Sequence, residues 1–197
     1  MQRADITELH FITPIVNVPS ILEHGILCHR LAQELPHASI ANGDVQARRE
    51  NKPIAGAGRG LHDYANLYFD AHNPMLSRRR AENDRICVLR IVPTVLDLPD
   101  VIVSDRNAAR GWARLSPVQE GVAMLDREQV FAEFWLHDDP LEQDEHKGVK
   151  CAEVLVPDRV APQYIRSAYV ASACAEAAFR ECCALPVEIK SGMFFWG

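Results

Sequence analysis

Long apolar runs are missing from this 197-residue chain: none approaches the roughly 18 residues of a membrane-spanning helix, which excludes a helical membrane span. Met1-Gln2-Arg3-Ala4-Asp5 lacks a basic region followed by an apolar segment, so no signal peptide is expected and a cytoplasmic location is the default. Cysteine is present at 28, 87, 151, 174, 182 and 183, but no Cys-x-x-Cys pair exists, and adjacent Cys182 and Cys183 cannot readily bridge. The expectation is six reduced thiols, small and mostly buried, with no redox site. Eight histidines form no His-x-x-x-His and no finger-like spacing to cysteine, so no metal is expected. Also missing are Gly-x-Gly-x-x-Gly, Gly-x-x-x-x-Gly-Lys-Ser/Thr and Gly-x-Ser-x-Gly, which leaves a Rossmann site, a P-loop and a hydrolase elbow without sequence support. Gly56-Ala57-Gly58-Arg59-Gly60 is glycine-rich but follows no convincing strand and reads as a flexible loop.

What is present is ordinary globular composition, 48% hydrophobic and 24% charged, without repeat, low-complexity tract or linker. The length suits one domain over residues 1–197. A net charge of −6 argues against polyanion binding until its distribution is considered. Residues 48–114 hold twelve Lys or Arg against eight Asp or Glu, a local +4 that leaves −10 elsewhere. Arg78-Arg79-Arg80 is the densest part, and such a run suits a solvated surface as well as a phosphate contact.

Residues 8–13 read as an early strand, and Pro19 to Gly25 as a short helix with proline at its start and glycine at its end. The polar stretch 34–67 reads as a long loop, of the kind that carries function, with one helical turn at 44–49. Strands are expected at 66–69 and 86–92, and a helix near 107–110 capped by Ser104 or Asp105. Asp126-Arg127-Glu128-Gln129 reads as a capping box opening a helix whose Val130, Phe131, Phe134 and Trp135 form a core stripe. Strands at 151–156, 167–170 and 187–190 and a helix at 173–184 complete an α+β order.

Within the run Cys151-Ala152-Glu153-Val154-Leu155-Val156, one carboxylate stands among apolar residues. Burying it is costly unless a partner or substrate requires it there. The bland alternative is an outward-facing residue on an ordinary strand, sharing a face with Cys151 and Leu155.

Several short pieces then fall in a characteristic order: His10-Phe11-Ile12-Thr13 with Asn17, Ile21-Leu22 before Gly25, Val45-Gln46-Ala47-Arg48-Arg49, Leu61-His62-Asp63-Tyr64, Tyr68-Phe69, and Asn73-Pro74-Met75-Leu76. Ser104-Asp105-Arg106-Asn107-Ala108 and Ala152-Glu153-Val154-Leu155-Val156 follow. Over nearly its whole length the chain resembles the DarT family of DNA ADP-ribosyltransferase toxins. The resemblance implies an ADP-ribosyltransferase-like split β-sheet with flanking helices and NAD⁺ in the cleft. The implied reaction moves ADP-ribose from NAD⁺ onto a base of single-stranded DNA, thymine first and guanine second, and releases nicotinamide. It also implies a toxin whose partner is a macrodomain-type antitoxin; the alternatives are an RNA or protein acceptor, or an idle binding module.

By this resemblance Glu153 is the catalytic acid/base residue and Arg49 the second essential residue, holding the NAD⁺ phosphates or polarising the acceptor, with Arg48 the substitute if the register slips by one. His10, Thr13 and Asn17 match the nicotinamide side of the cofactor site. Tyr68 and Phe69 either stack on nicotinamide or fill the core. Met75, Asp105, Arg106 and Asn107 fall to the DNA-facing segments. Two departures bear on the acceptor: Pro14 stands where the family often has a second histidine, and Ala71-His72-Asn73-Pro74-Met75 replaces a Pro-Arg-Ser-Pro-Met loop, with Arg78 to Arg80 available for the lost arginine.

Overall fold

Aliphatic and β-branched runs pair here into one mixed sheet. The computed structural model describes residues 1–50, 52–54 and 58–196. Its strands are β1 (Leu9–Pro14), β2 (Ile26–Leu27), β3 (Pro53–Ile54), β4 (Arg59–Gly60), β5 (Tyr64–Tyr68), β6 (Ile86–Ile91), β7 (Ile102–Ser104), β8 (Leu115–Pro117), β9 (Glu153–Pro157), β10 (Arg159–Val160), β11 (Ile165–Val170) and β12 (Val187–Ile189). Eight of them form a sheet in the order β12-β11-β6-β1-β5-β9-β7-β8. The helices are α1 (Val18–His24), α2 (His29–Ala32), α3 (Gly43–Glu50), α4 (Pro74–Ser77), α5 (Val118–Met124), α6 (Arg127–Val130), α7 (Pro140–Val149) and α8 (Ala173–Cys182). None of the described helices is long and apolar enough to cross a membrane.

The sheet is split in the middle. β1 pairs with β6 over six positions and β5 with β9 over five, but β1 and β5 share the single pair His10 and Tyr68. Two four-stranded halves therefore part from one joint. Strand alternation sends Val154 and Val156 into the main core with Leu9, Leu67, Leu89 and Phe179, while Leu155 joins Ile54, Leu61, Tyr64 and Ala108 on the opposite face. Glu153, two residues before Leu155, lies on that second face.

Helix ends follow their caps. Ser172 accepts from the Ala175 amide to start α8, whose Ala175 and Phe179 are buried one turn apart. Gly25 closes α1 at φ 89°, where an added Cβ would stand 2.4 Å from the Val160 carbonyl oxygen.

Three expectations need correction. No helix forms at 107–110: Ser104 ends β7, and Asp105 accepts from the Arg114 amide at 2.9 Å, closing a loop instead of capping a helix. Asp126 caps α6, its side chain accepting from the Glu128 and Gln129 amides, but without the return bond that would make a capping box, and α6 stops at Val130; Phe131 and Phe134 are exposed, the latter to 70%, so only Val130 and Trp135 of the stripe are buried. Where α6 ends, the Lys150 ammonium takes the Val130 and Ala132 carbonyls at 2.9 and 2.8 Å, satisfying groups that a continuing helix would have bonded itself. Cysteine burial also divides: Cys28, Cys87 and Cys151 are buried, Cys174 and Cys182 exposed and Cys183 intermediate, all unpaired. The glycine-rich reading at 56–60 falls partly on Gly56 and Ala57, which lie outside the described residues.

Candidate active site

At the joint of the two halves, register places four polar side chains in a line. His10 on β1 is opposite Tyr68 on β5, Tyr68 is opposite Glu153 on β9, and Glu153 is opposite Ser104 on β7. Directly opposed residues share a face. All four are buried, Glu153 to 1% exposure. The outward-facing alternative for Glu153 is thereby excluded.

A buried carboxylate needs a partner. Arg49 supplies it from the last turn of α3, its Nη1 donating to Glu153 Oε2 at 2.9 Å and to Oε1 at 3.3 Å. Arg49 is itself 5% exposed, whereas its neighbour Arg48 is exposed, so the second arginine of the pair is the one that meets the carboxylate. The Ala108 amide points at Oε1 from 3.4 Å, a long contact. Burial, followed by the nearby charge of Glu153, pushes the Tyr68 phenol well above its ordinary value, so it stays a hydroxyl donor.

Lys52 ties the loop after α3 to the site. Its Nζ donates to the Ala108 carbonyl at 2.7 Å and also to that of Arg110. Burial and then the Arg49 charge lower its pKa. The loop between β7 and β8 is fastened at its base by Asp105, which receives Arg106 Nε at 3.2 Å and Arg114 Nε at 2.8 Å. Burial opposes ionisation of Asp105, but the Arg106 and Arg114 hydrogen bonds outweigh it and hold the carboxyl below its usual value. Arg106 also reaches Glu145, Arg110 forks onto Asp144 at 2.7 and 3.0 Å, and the Asn107 amide donates to the Gly148 carbonyl at 3.0 Å. Asp105, Arg106 and Asn107 thus fix a loop whose backbone touches Glu153, with the first two buried.

On the other half, both ring nitrogens of His10 face acceptors, Nδ1 the Phe69 carbonyl at 3.3 Å and Nε2 the Glu8 carboxylate at 3.1 Å. Glu8 also takes Arg90 Nε at 2.7 Å and the Tyr169 hydroxyl at 3.2 Å. Burial raises the Glu8 pKa, yet the His10 and Arg90 bonds bring it down to about 2. Thr13 Oγ1 accepts from Asn17 Nδ2 at 3.3 Å, and Asn17 clasps Ala38 through a donated bond of 2.8 Å and an accepted one of 2.9 Å. Phe69 belongs to the main core, while Tyr68 faces the polar line. Met75 is the second residue of α4, where the Asn73 side chain accepts from its amide at 2.9 Å, and it packs beside Tyr68's cluster. Of the three arginines, Arg79 is committed to Glu82 at 3.0 Å and the Ile40 carbonyl, leaving Arg78 and Arg80 exposed.

Glu8, Lys52 and Ser104 escaped assignment from sequence alone. Glu8 had a signal, a carboxylate two positions before a histidine and hence on the same side of an extended chain. Lys52 had none, because its partners lie 56 and 58 residues away. No cluster able to hold a metal occurs among the described residues.

Known proteins share this fold. The sequence model of the family described as "ssDNA thymidine ADP-ribosyltransferase, DarT" matches residues 10–195. A "DNA ADP-ribosyl transferase-DNA ADP-ribosyl glycohydrolase fusion protein" of Thermosipho africanus is 32% identical over 171 residues, 83% of this chain but only 42% of that protein. The structure of Thermus sp. 2.9 DarT in complex with ADP-ribosylated ssDNA matches with a TM-score of 0.81 at 26% identity, over 99% of each chain. The same Thermus protein in complex with NAD⁺ matches with a TM-score of 0.76 at 25% identity, over 97% of this chain and 98% of that one. With the split sheet, the buried glutamate–arginine pair and a match over nearly its full length, the chain belongs to the DarT family of single-stranded DNA ADP-ribosyltransferases.

Proposed function

We propose that the chain works as a single domain over residues 1–197 that transfers ADP-ribose from NAD⁺ to a thymine of single-stranded DNA, with Glu153 as the base. The observation that carries this is the buried Arg49–Glu153 pair at the point where the sheet divides. A thymine base in DNA has one ring N–H, at N3. Glu153 takes that proton as N3 bonds to C1′ of the nicotinamide ribose. The bond from C1′ to nicotinamide breaks, and its electron pair leaves with neutral nicotinamide. The sugar passes through an oxocarbenium-like state, which a fixed carboxylate stabilises where the positive charge develops.

Arg49 positions that carboxylate through Nη1 and has its remaining N–H groups for the NAD⁺ phosphates or the acceptor carbonyl. Thr13 and Asn17 shape the donor side of the cleft, and Met75 with the loop held by Asp105, Arg106 and Asn107 shapes the acceptor side. The Thermosipho relative, named as a transferase–glycohydrolase fusion, supports a toxin whose mark is removed by a macrodomain-type antitoxin. A cytoplasmic site of action accords with a DNA acceptor.

The test is transfer from labelled NAD⁺ to oligonucleotides with and without thymine, to RNA and to protein. Label on single-stranded DNA only where thymine is present supports the reading. Label on thymine-free DNA moves the acceptor to guanine, and label on RNA or protein alone overturns the DNA assignment.

A further inference from the structure

One polar group on the line at the joint has no part in the reaction as described. Ser104 is fully buried, and its Oγ has no hydrogen-bond partner among the described residues. It stands opposite Glu153 across β7 and β9, where Cβ atoms of opposed residues lie about 4.5–5.5 Å apart. Its other flank is apolar: Leu115 is its partner on β8, and Leu155 continues the same face of β9. A hydroxyl left unmatched in such surroundings is unfavourable, and alanine would fill the position without that cost.

We propose that Ser104 is a positioning residue for Glu153. Its hydroxyl rotates to donate to the carboxylate beside the Arg49 guanidinium, and accepts from the carboxylic acid once Glu153 has taken the acceptor proton. Arg49 can serve only the first of these states, because a guanidinium carries no acceptor. A hydroxyl serves both by rotating about one bond. The carboxylate has capacity for it, since Arg49 Nη1 and the distant Ala108 amide are the contacts recorded to it.

This inference rests on Glu153 being the base, and the experiment separates the two. Ser104→Ala and Ser104→Cys are compared with the parent enzyme for kcat and KM with NAD⁺ and a thymine-containing single strand, alongside melting temperature. Ser104→Ala is expected to melt at or above the parent and Ser104→Cys close to it, and both are expected to lose kcat about tenfold or more with KM for NAD⁺ unchanged, the signature of an interaction made only in the transition state. Parental kcat in either variant overturns the proposal, as does a loss confined to KM. If Glu153→Gln also transfers at the parental rate, the assignment of the base has failed; if Glu153→Gln is inactive while Ser104→Ala is fully active, only the role of Ser104 has failed.

Discussion

Replacing Lys150 by methionine tests how the catalytic strand is held. Lys150 is 1% exposed, and its ammonium donates to Asp70 Oδ2 at 2.5 Å, to the Val130 carbonyl at 2.9 Å and to the Ala132 carbonyl at 2.8 Å. All three N–H groups are therefore used, three residues before Glu153. Methionine keeps most of the stem volume, so the cavity contribution is small. What remains is the loss of one partner from a buried pair, leaving a carboxylate and two carbonyls without their donor, which costs about 3–5 kcal/mol. For a chain of this size about 1 kcal/mol moves Tm by about 2–4 °C, so Tm is expected to fall by roughly 6–20 °C. Urea unfolding gives the free energy directly. The double variant Lys150→Met/Asp70→Asn, which discharges the stranded carboxylate, is expected to recover about 1–3 kcal/mol of the loss. A single variant within about 1 kcal/mol of the parent would refute the reasoning, because a threefold-bonded buried ammonium cannot be removed so cheaply.

Two further changes follow from other parts of the fold. Glu8 has its pKa moved from an ordinary 4.5 to about 2 by its partners, so its stabilisation is complete above about pH 4.5 and is lost as pH falls toward 2. The full shift corresponds to about 3 kcal/mol, which the fifth of the side chain open to solvent reduces to about 1–2 kcal/mol; stability measured from pH 5 to pH 2 should fall less steeply in Glu8→Gln, and parallel curves would contradict the pairing. Gly25→Ala places a Cβ against the Val160 carbonyl at a positive φ and should destabilise by about 2–4 kcal/mol in urea unfolding, with a change below about 0.5 kcal/mol contradicting the close approach.

Legibility in the sequence followed the range of the forces involved. β1, β6, β11 and α8 were readable because their apolar periodicity and caps are local. Local chemistry also misled. Asp105 has the residue type of a helix cap, yet its side chain closes a loop onto Arg114, nine residues on. The Asp126 helix has its cap but stops at Val130, whose carbonyl is taken by Lys150, twenty residues on. The site itself is the extreme case: Glu153 reads as an anomaly of polarity within a strand, but its burial depends on Arg49, 104 positions earlier. No periodicity carries that pairing. The order of many short motifs singles out both residues; the register of β1, β5, β9 and β7 buries Glu153 at the joint, and the last turn of α3 brings Arg49 to it.

The most direct test of the account is the transfer of labelled ADP-ribose to a thymine-containing single strand by Glu153→Gln, a change that keeps the side chain's size and removes its basicity. Loss of a positioned general base is expected to slow transfer by about 10²–10⁴-fold, with the label in the parent reaction located on the thymine ring by mass spectrometry. Transfer at the parental rate by a folded Glu153→Gln enzyme would contradict the claim that this buried carboxylate carries the chemistry.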